Sequence, residues 1–169
     1  MTSHEKAIDW GELAAAIGVD PHSGGDGVAR RALAHLLGDE ALRRAVDWYV
    51  DGRPAAEHAR SVLWLLRPAA ARARCVEIYR DDADPDRRHM AVELLRVVAT
   101  GEDLPLVGEF LADADPAIQV WGAGVLDQLL FGDLVTPAEA EPHLRAAAEH
   151  PNPSVRAKRE EMGAYLDAR

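Results

Sequence analysis

The feature that most constrains the fold of this chain is a segment that occurs twice between residues 84 and 130, at a spacing of 31 residues. The dipeptide Asp-Pro opens each copy, at 84 and again at 115. Six residues after each proline stands a small residue, and four residues later a leucine: Ala91 with Leu95, then Gly122 with Leu126. Such a repeat is typical of stacked helical hairpins, in which each hairpin buries its apolar face against its neighbours.

Helix signals on both sides of this segment predict an all-α fold. Glycine and proline positions divide residues 26–169 into about four helical hairpins. Residues 1–25 are expected to be an N-terminal capping segment, with a short helix followed by a loop at 20–27. A last helix follows Asn152-Pro153, and Arg159 occupies its small-residue position. A polar residue there is what the uncovered end of a repeat array requires.

Three local predictions are specific enough to compare with the structure. Pro54 is expected in the first turn of a helix, where its missing N–H would have no partner. A helix from residue 28 to Gly38 is expected to bury one apolar face, formed by Val28, Ala32, Leu33 and Leu36. Neighbouring helices are expected to approach closely at four small residues, because a larger side chain would force the layers apart: Ala32, Ala59, Ala91 and Gly122.

The two Asp-Pro openings, with a small residue six positions on and Leu95 or Leu126 after it, resemble the HEAT repeats of the short bacterial, phycobilisome lyase-like type. The resemblance covers residues 26 to about 165. It implies a right-handed superhelix of helix pairs, with the second helix of each pair lining a concave face. Proteins of this kind are mostly protein-binding scaffolds. The chain departs from the pattern where a basic residue is expected, because Arg88 fits loosely and Gln119 stands in the other copy.

The excess of acidic residues limits the kinds of partner that the chain can bind. The chain has 19 basic and 29 acidic residues and a net charge of −10, which repels phosphate backbones and anionic lipid. We therefore predict no nucleic-acid and no membrane partner, and a monomer or weak homodimer. The single Cys75 cannot form an internal disulfide, and no apolar run reaches the roughly 20 residues of a membrane span, so a cytoplasmic location is expected.

The acidic residues concentrate on the predicted second helices of the C-terminal half. If these helices line the concave face, they form an acidic surface suited to a partner with a basic patch. The candidate partner-binding residues are Glu102, Asp103, Glu109, Asp113, Glu139, Glu141 and Glu149. The leading hypothesis is a non-catalytic scaffold, and a sharper version is an immunity or antitoxin-like protein that masks a basic toxin. The helix at 69–80 is instead mainly basic, with Arg72, Arg74 and Arg80.

Two other functions are compatible with the sequence. The resemblance includes HEAT-like lyases and DNA glycosylases, and an enzyme of that kind would bring Trp121, Asp127 and His89 together near a pocket. The chain could also self-associate through apolar surface left open at an end of the array. Glu139 with His143, and His89 with Glu93, are i,i+4 pairs able to offer two metal ligands each, but further ligands are not evident, so no metal or other cofactor is predicted.

Overall fold

The structure, a computed structural model, describes residues 8–18 and 24–167. This part of the chain contains ten α-helices, one short 3₁₀ turn at Gly101–Asp103 and no strand. The helices are α1 Trp10–Ile17, α2 Gly24–Leu37, α3 Asp39–Val50, α4 Ala56–Leu66, α5 Ala69–Asp81, α6 Pro85–Val98, α7 Leu104–Leu111, α8 Pro116–Phe131, α9 Pro137–Ala148 and α10 Pro153–Leu166. The all-α prediction is confirmed.

The helices form two layers of alternating members. Helices α4, α6, α8 and α10 pack in succession in one layer, while in the other α3 packs on α5 and α7 packs on α9. Successive helices pack on one another from α2 to α4, between α5 and α6 and from α7 to α10, whereas α4–α5 and α6–α7 make few or no direct contacts. The layers are therefore joined by hairpins, of which α5–α6 and α7–α8 are the most extensively packed. The connection between α6 and α7 runs through the 3₁₀ turn.

Helix starts in the C-terminal half follow the sequence signals closely. The carboxylate of Asp84 accepts the N–H of Asp86 at 2.9 Å, and Asp115 accepts the N–H of Ala117 at 2.8 Å. In both helices proline takes the first turn, where the absence of an N–H costs no hydrogen bond. Thr136 and Glu139 form the capping box of α9, as their spacing predicts.

The small residues at the centre of the repeat lie at a close approach of helices. Ala91 is fully buried, and a Cβ atom at Gly122 would overlap the Cβ of Phe110 on α7. The ring of Phe110 in turn meets Tyr79 of α5 edge to face, with centroids 4.8 Å apart. The prediction of tight packing at Ala91 and Gly122 is therefore confirmed, whereas the equivalent Ala32 and Ala59 are only half-buried.

The N-terminal half departs from the predictions in three ways. Helix α2 begins at Gly24, inside the expected loop; the rest of that loop lies outside the described residues. Pro54 lies in a turn, and α4 begins two residues later after Ala55, whose φ of 62° is left-handed. The third difference concerns the face of α2 that was expected to be buried. Val28, Leu33 and Leu36 of that face are exposed, because α2 is covered only by α1, α3 and part of α4.

Cys75 lies on α5 among fully buried core residues and has no exposed surface. Burial raises the pKa of its thiol, because the thiolate would lose its hydration. The other buried residues of this helix are Ala71, Ile78 and Tyr79. Across the described ranges, no helix is at once long and apolar enough to cross a membrane.

Candidate functional site

The acidic residues before and along α7 are paired with arginines of the preceding hairpin. Arg72 of α5 binds Glu102 at 3.2 Å and Asp103 at 3.1 Å. Arg80, at the end of α5, binds Glu109 at 2.9 Å. The basic helix and the acidic helix noted in the sequence therefore neutralise one another across the stack. This pairing lowers the net charge that α7 presents to a partner.

Asp113 has a structural role at the end of the same surface. Its carboxylate accepts from the Tyr79 hydroxyl and from Arg88, each at 3.1 Å, and also from the N–H of Asp115 at 2.8 Å. Its side chain is only 10% exposed. These bonds hold the start of α8 against α5 and α6, so Asp113 is a poor direct contact for a partner.

The acidic residues of α9 are the more accessible part of the predicted site. Glu141 pairs with the exposed Arg145 at 3.2 Å. Glu139 is exposed, and the hydrogen bonds from the Thr136 hydroxyl and backbone N–H keep the pKa of its carboxyl below the usual range. Glu149 is exposed, and no side-chain bond to it is found among the described residues. The structure thus separates the seven candidates into a paired group at 102–113 and an exposed group on α9.

A second set of acidic residues, which the sequence analysis missed, recurs with the repeat. Asp51, Asp82 and Asp113 stand at successive intervals of 31 residues. Arg87 binds Asp51, binds Asp82 at 2.8 Å and reaches Asp47 at 3.3 Å. The recurrence of an aspartate at the repeat spacing is the sequence signal from which this set could have been found. Its consequence is an ion-pair network between hairpins, which stabilises the stack rather than forming a binding site.

Glu93 on α6 is a buried carboxylate, 7% exposed, at the junction of three helices. It accepts from the hydroxyl of Tyr49 on α3 at 2.5 Å. Its other oxygen faces Arg60 of α4 at 3.5 Å and Arg96 of α6 at 3.1 Å. A buried carboxylate needs such partners to offset the loss of its hydration. The cluster therefore holds α3, α4 and α6 in register.

The three residues of the enzyme hypothesis are only partly assembled. The indole N–H of Trp121 donates to Nε2 of His89, and Arg96 lies 5.1 Å from the centre of the Trp121 ring. Asp127 instead accepts from the hydroxyl of Tyr165 on α10 at 3.2 Å. The four principal clefts found in the described chain are lined by other residues. The geometry around Trp121 is that of a packed polar contact between α6 and α8.

The two histidine–glutamate pairs have separate environments. His89 bonds to Trp121, while Glu93 belongs to the cluster with Tyr49. His143 packs beside Gly108, and burial lowers the pKa of its imidazole. Within residues 8–18 and 24–167, no group of three or more His, Cys, Asp or Glu side chains is arranged to hold a metal ion.

Large apolar side chains are exposed on α2 and α4, in contrast to the buried faces of α6 and α8. Leu65 is 55% exposed, and Leu33 and Trp64 are each 48% exposed. A predominantly apolar cleft of about 260 Å³ joins the end of α2 to α4 through Leu37 and Val62. We call this surface the N-terminal apolar face; it consists of Leu33, Leu36, Leu37, Val62, Trp64 and Leu65. Large apolar side chains exposed on two neighbouring helices are typical of interaction sites.

Helix α1 leaves most of this face exposed, although Leu36 lines the cleft between α1 and α2. It packs on α2 through Leu13, and a cleft of about 720 Å³ remains between the two helices. Trp10 of α1 is itself 68% exposed. The N-terminal segment therefore adds apolar surface at this end of the stack as well as covering some.

The buried tyrosines give the fold a defined sensitivity to alkaline pH. Burial and the bond to Asp113 raise the pKa of Tyr79 to about 12, and burial and the bond to Glu93 raise that of Tyr49 as well. Unfolded tyrosine titrates near pH 10, so above that pH the unfolded chain loses protons that the folded chain keeps. We expect the free energy of unfolding to be constant up to about pH 9 and to fall as pH rises from 10 through 12.

Urea unfolding at pH 8 to 12 measures this effect. The variant Tyr79→Phe lacks one of the two titrating groups, so its stability is expected to fall less steeply over the same interval. Equal slopes for the variant and the wild type would mean that Tyr79 does not keep its proton in the folded state.

Comparison with known proteins does not assign this surface to a family. No protein-family model, curated protein or solved structure matches the chain. The resemblance to HEAT repeats therefore stays a prediction from the sequence.

Proposed function

We propose that this chain is a non-catalytic protein-interaction module, built as a right-handed αα-solenoid of HEAT-like hairpins, and that it binds its partner through the N-terminal apolar face. The observation that carries the proposal is the exposure of six large apolar side chains on two adjacent helices. Each of them is about half exposed, so burying the remaining surface against a partner is worth about 1 kcal/mol per side chain before the costs of association. The C-terminal hairpins, whose large apolar residues are mostly buried apart from Phe131, act as the rigid support.

This face is preferred over the acidic residues at 102–113 because of how their charges are used. Arg72, Arg80 and Arg88 already bind carboxylates of that group. A basic partner would have to displace these arginines from their carboxylates, or bind to a surface whose charges already nearly cancel. Exposed apolar side chains have no such internal competitor.

A second candidate is the basic partner expected from the sequence, including an immunity-like role, bound at α9. The specific support is the exposure of three carboxylates on or next to this helix: Glu139, Glu141 and Glu149. With a net charge of −10, the chain attracts a basic protein over distances of about 10 Å at moderate salt. This surface would speed association more than it would set affinity.

The proposal is tested by placing a photo-crosslinking amino acid at position 62 in the apolar face, at 141 on α9, or at the exposed control position 157 on α10. The protein crosslinked in cells is identified, purified and titrated with variants of this chain. We expect the double variant Leu33→Asp/Val62→Asp to lose at least about tenfold in affinity, because two carboxylates would be buried against apolar groups. Its own free energy of unfolding should change by about 0.5 kcal/mol or less at each exposed site.

The matched control is Ala157→Asp, which adds a carboxylate to an exposed position far along the chain and should leave affinity unchanged. A partner that crosslinks from 141 and binds the double variant normally would overturn the apolar-face proposal in favour of α9. Crosslinking of the chain to itself from position 62 would instead assign the face to a homodimer.

A further inference from the structure

A small cleft between α2 and α4 contains two arginines and no carboxylate. It has a volume of about 250 Å³ and is lined by Arg30 of α2 and by Ser61, Trp64, Leu65 and Arg67 of α4 and its C-terminus. Trp64 and Leu65 belong to the N-terminal apolar face. The cleft is therefore a charged recess at one edge of that face.

The arginines of this cleft differ from most arginines of the layered part of the chain. Arg43, Arg74, Arg80 and Arg87 each bind a carboxylate, and arginines 53, 60, 72, 88, 96 and 145 do so as well. No side-chain hydrogen bond or ion pair is found for Arg30 or Arg67 among the described residues, although the backbone N–H of Arg67 donates to the carbonyl of Leu63. In a chain with an excess of acidic residues, two like charges share a recess that has no carboxylate among its lining residues. Like charges held together in this way favour an anion between them.

The backbone at Arg67 adds an independent observation. This residue caps α4 with φ 44° and ψ 51°, a left-handed conformation that glycine adopts without steric cost. An arginine there accepts backbone strain of about 1 kcal/mol. Burial and the charge of Arg30 also lower the pKa of Arg67, which reflects the same unfavourable placement of an unpaired guanidinium. Nothing in the local structure favours an arginine at position 67. An anionic ligand in the cleft would favour one.

The remaining walls restrict the kind of anion. Trp64 and Leu65 are apolar and about half exposed, and the Ser61 hydroxyl already donates to the carbonyl of Glu57 at 2.8 Å. A ligand must therefore satisfy two guanidinium groups and also cover an indole and a leucine. A planar carboxylate accepts paired N–H bonds from arginine, and an adjacent apolar group fills the rest of the cleft. The net charge of −10 disfavours more highly charged phosphate ligands.

We propose that the cleft between Arg30 and Arg67 binds a carboxylate that is attached to an apolar group, supplied by the docked segment of the protein partner. This inference rests on the proposed function and specifies it, because it requires the partner segment to carry an acidic residue beside its apolar ones. The carboxylate fixes the position of that segment on the N-terminal apolar face. Trp64 contacts the apolar group, and the guanidinium of Arg60, 6.0 Å from the ring centre, lies near the same indole.

The probe is 3-phenylpropionate, with 3-phenylpropanamide as its uncharged match. Binding is followed by the NMR shift of the Trp64 indole N–H, which is assigned with a Trp64→Phe variant. We expect the amide to bind at least about tenfold more weakly than the acid, because it lacks the charge-assisted bonds. Arg67→Gly and Arg30→Gln should each weaken binding of the acid by about fivefold or more, whereas Arg44→Gln, an exposed arginine on α3, should not. Arg67→Gly should keep full stability, since glycine suits the left-handed backbone.

Equal binding of acid and amide, or unchanged binding of the acid by Arg67→Gly and Arg30→Gln, would overturn the carboxylate site. These results leave the partner test of Leu33→Asp/Val62→Asp untouched, because neither residue lines the cleft. Conversely, a partner that binds the double variant Leu33→Asp/Val62→Asp with unchanged affinity would contradict the proposed function. Weaker binding of 3-phenylpropionate by the Arg30 and Arg67 variants would still establish the cleft as an anion site.

Discussion

Replacing Glu93 by alanine is expected to lower the free energy of unfolding by about 3 kcal/mol, which is the usual cost of breaking a buried ion pair from one side. The substitution leaves Arg60 and Arg96 without their carboxylate and the Tyr49 hydroxyl without its acceptor, at a site that is 7% exposed. It also leaves a small cavity between α3, α4 and α6. Urea denaturation followed by circular dichroism measures the loss.

The control for this prediction is Glu102→Ala. Glu102 also pairs with an arginine, at 3.2 Å, but its side chain is 85% exposed. Exposed pairs contribute about 0–1 kcal/mol, so this variant should be close to the wild type. Similar losses in the free energy of unfolding for the two variants would show that the burial of Glu93 does not determine how much it stabilises the fold.

Introducing a methyl group at Gly122 should destabilise the protein by about 2 kcal/mol, although alanine is the better helix former. The new Cβ would overlap the Cβ of Phe110, and both atoms are fixed close to their helix backbones. Relief therefore requires α7 and α8 to separate. Thermal or urea unfolding of Gly122→Ala provides the measurement.

Gly108→Ala supplies a matched comparison within α7. Its Cβ would lie 3.5 Å from Cε1 of His143, an ordinary contact distance. We expect this variant to gain about 0.5–1 kcal/mol from helix propensity. If Gly122→Ala were instead stabilising, the helices would not be in tight contact at this position.

The C-terminal half could be predicted well because its signals are local. Asp84, Asp115 and Thr136 accept N–H groups two or three residues away, so the sequence alone determines these helix starts. The 31-residue repeat then identified Ala91 and Gly122 as packing positions. Each of these features depends on short spacings or on an exact repetition.

The N-terminal half could not be predicted in the same way because burial is decided by distant parts of the chain. Leu33 and Leu36 have the spacing of a buried helix face, but a spacing does not specify what covers it. Pro54 fits the first turn of a helix, yet the chain makes a left-handed residue at Ala55 before α4 begins. A local sequence pattern of this kind is therefore compatible with either a buried or an exposed helix face, and with either a helix start or a turn.

The candidate site shows a similar division. The sequence identified the acidic character of α7 but not its arginine partners, which lie 30 residues away at Arg72 and 29 at Arg80. Such pairs depend on how successive hairpins stack. Arg30 and Arg67 were missed because they are 37 residues apart in the sequence, and only the packing of α2 beside α4 brings them to one cleft.

The complete burial of Cys75 makes this thiol an internal reporter of the folded core. A thiol reagent can reach it only when α5 separates from its neighbours, so the rate of labelling follows the opening of the helical layers. A cysteine introduced at an exposed position would react first and alone among the thiols of the native protein. Fluorescent or spin labels can therefore be attached to either layer without first removing the natural cysteine.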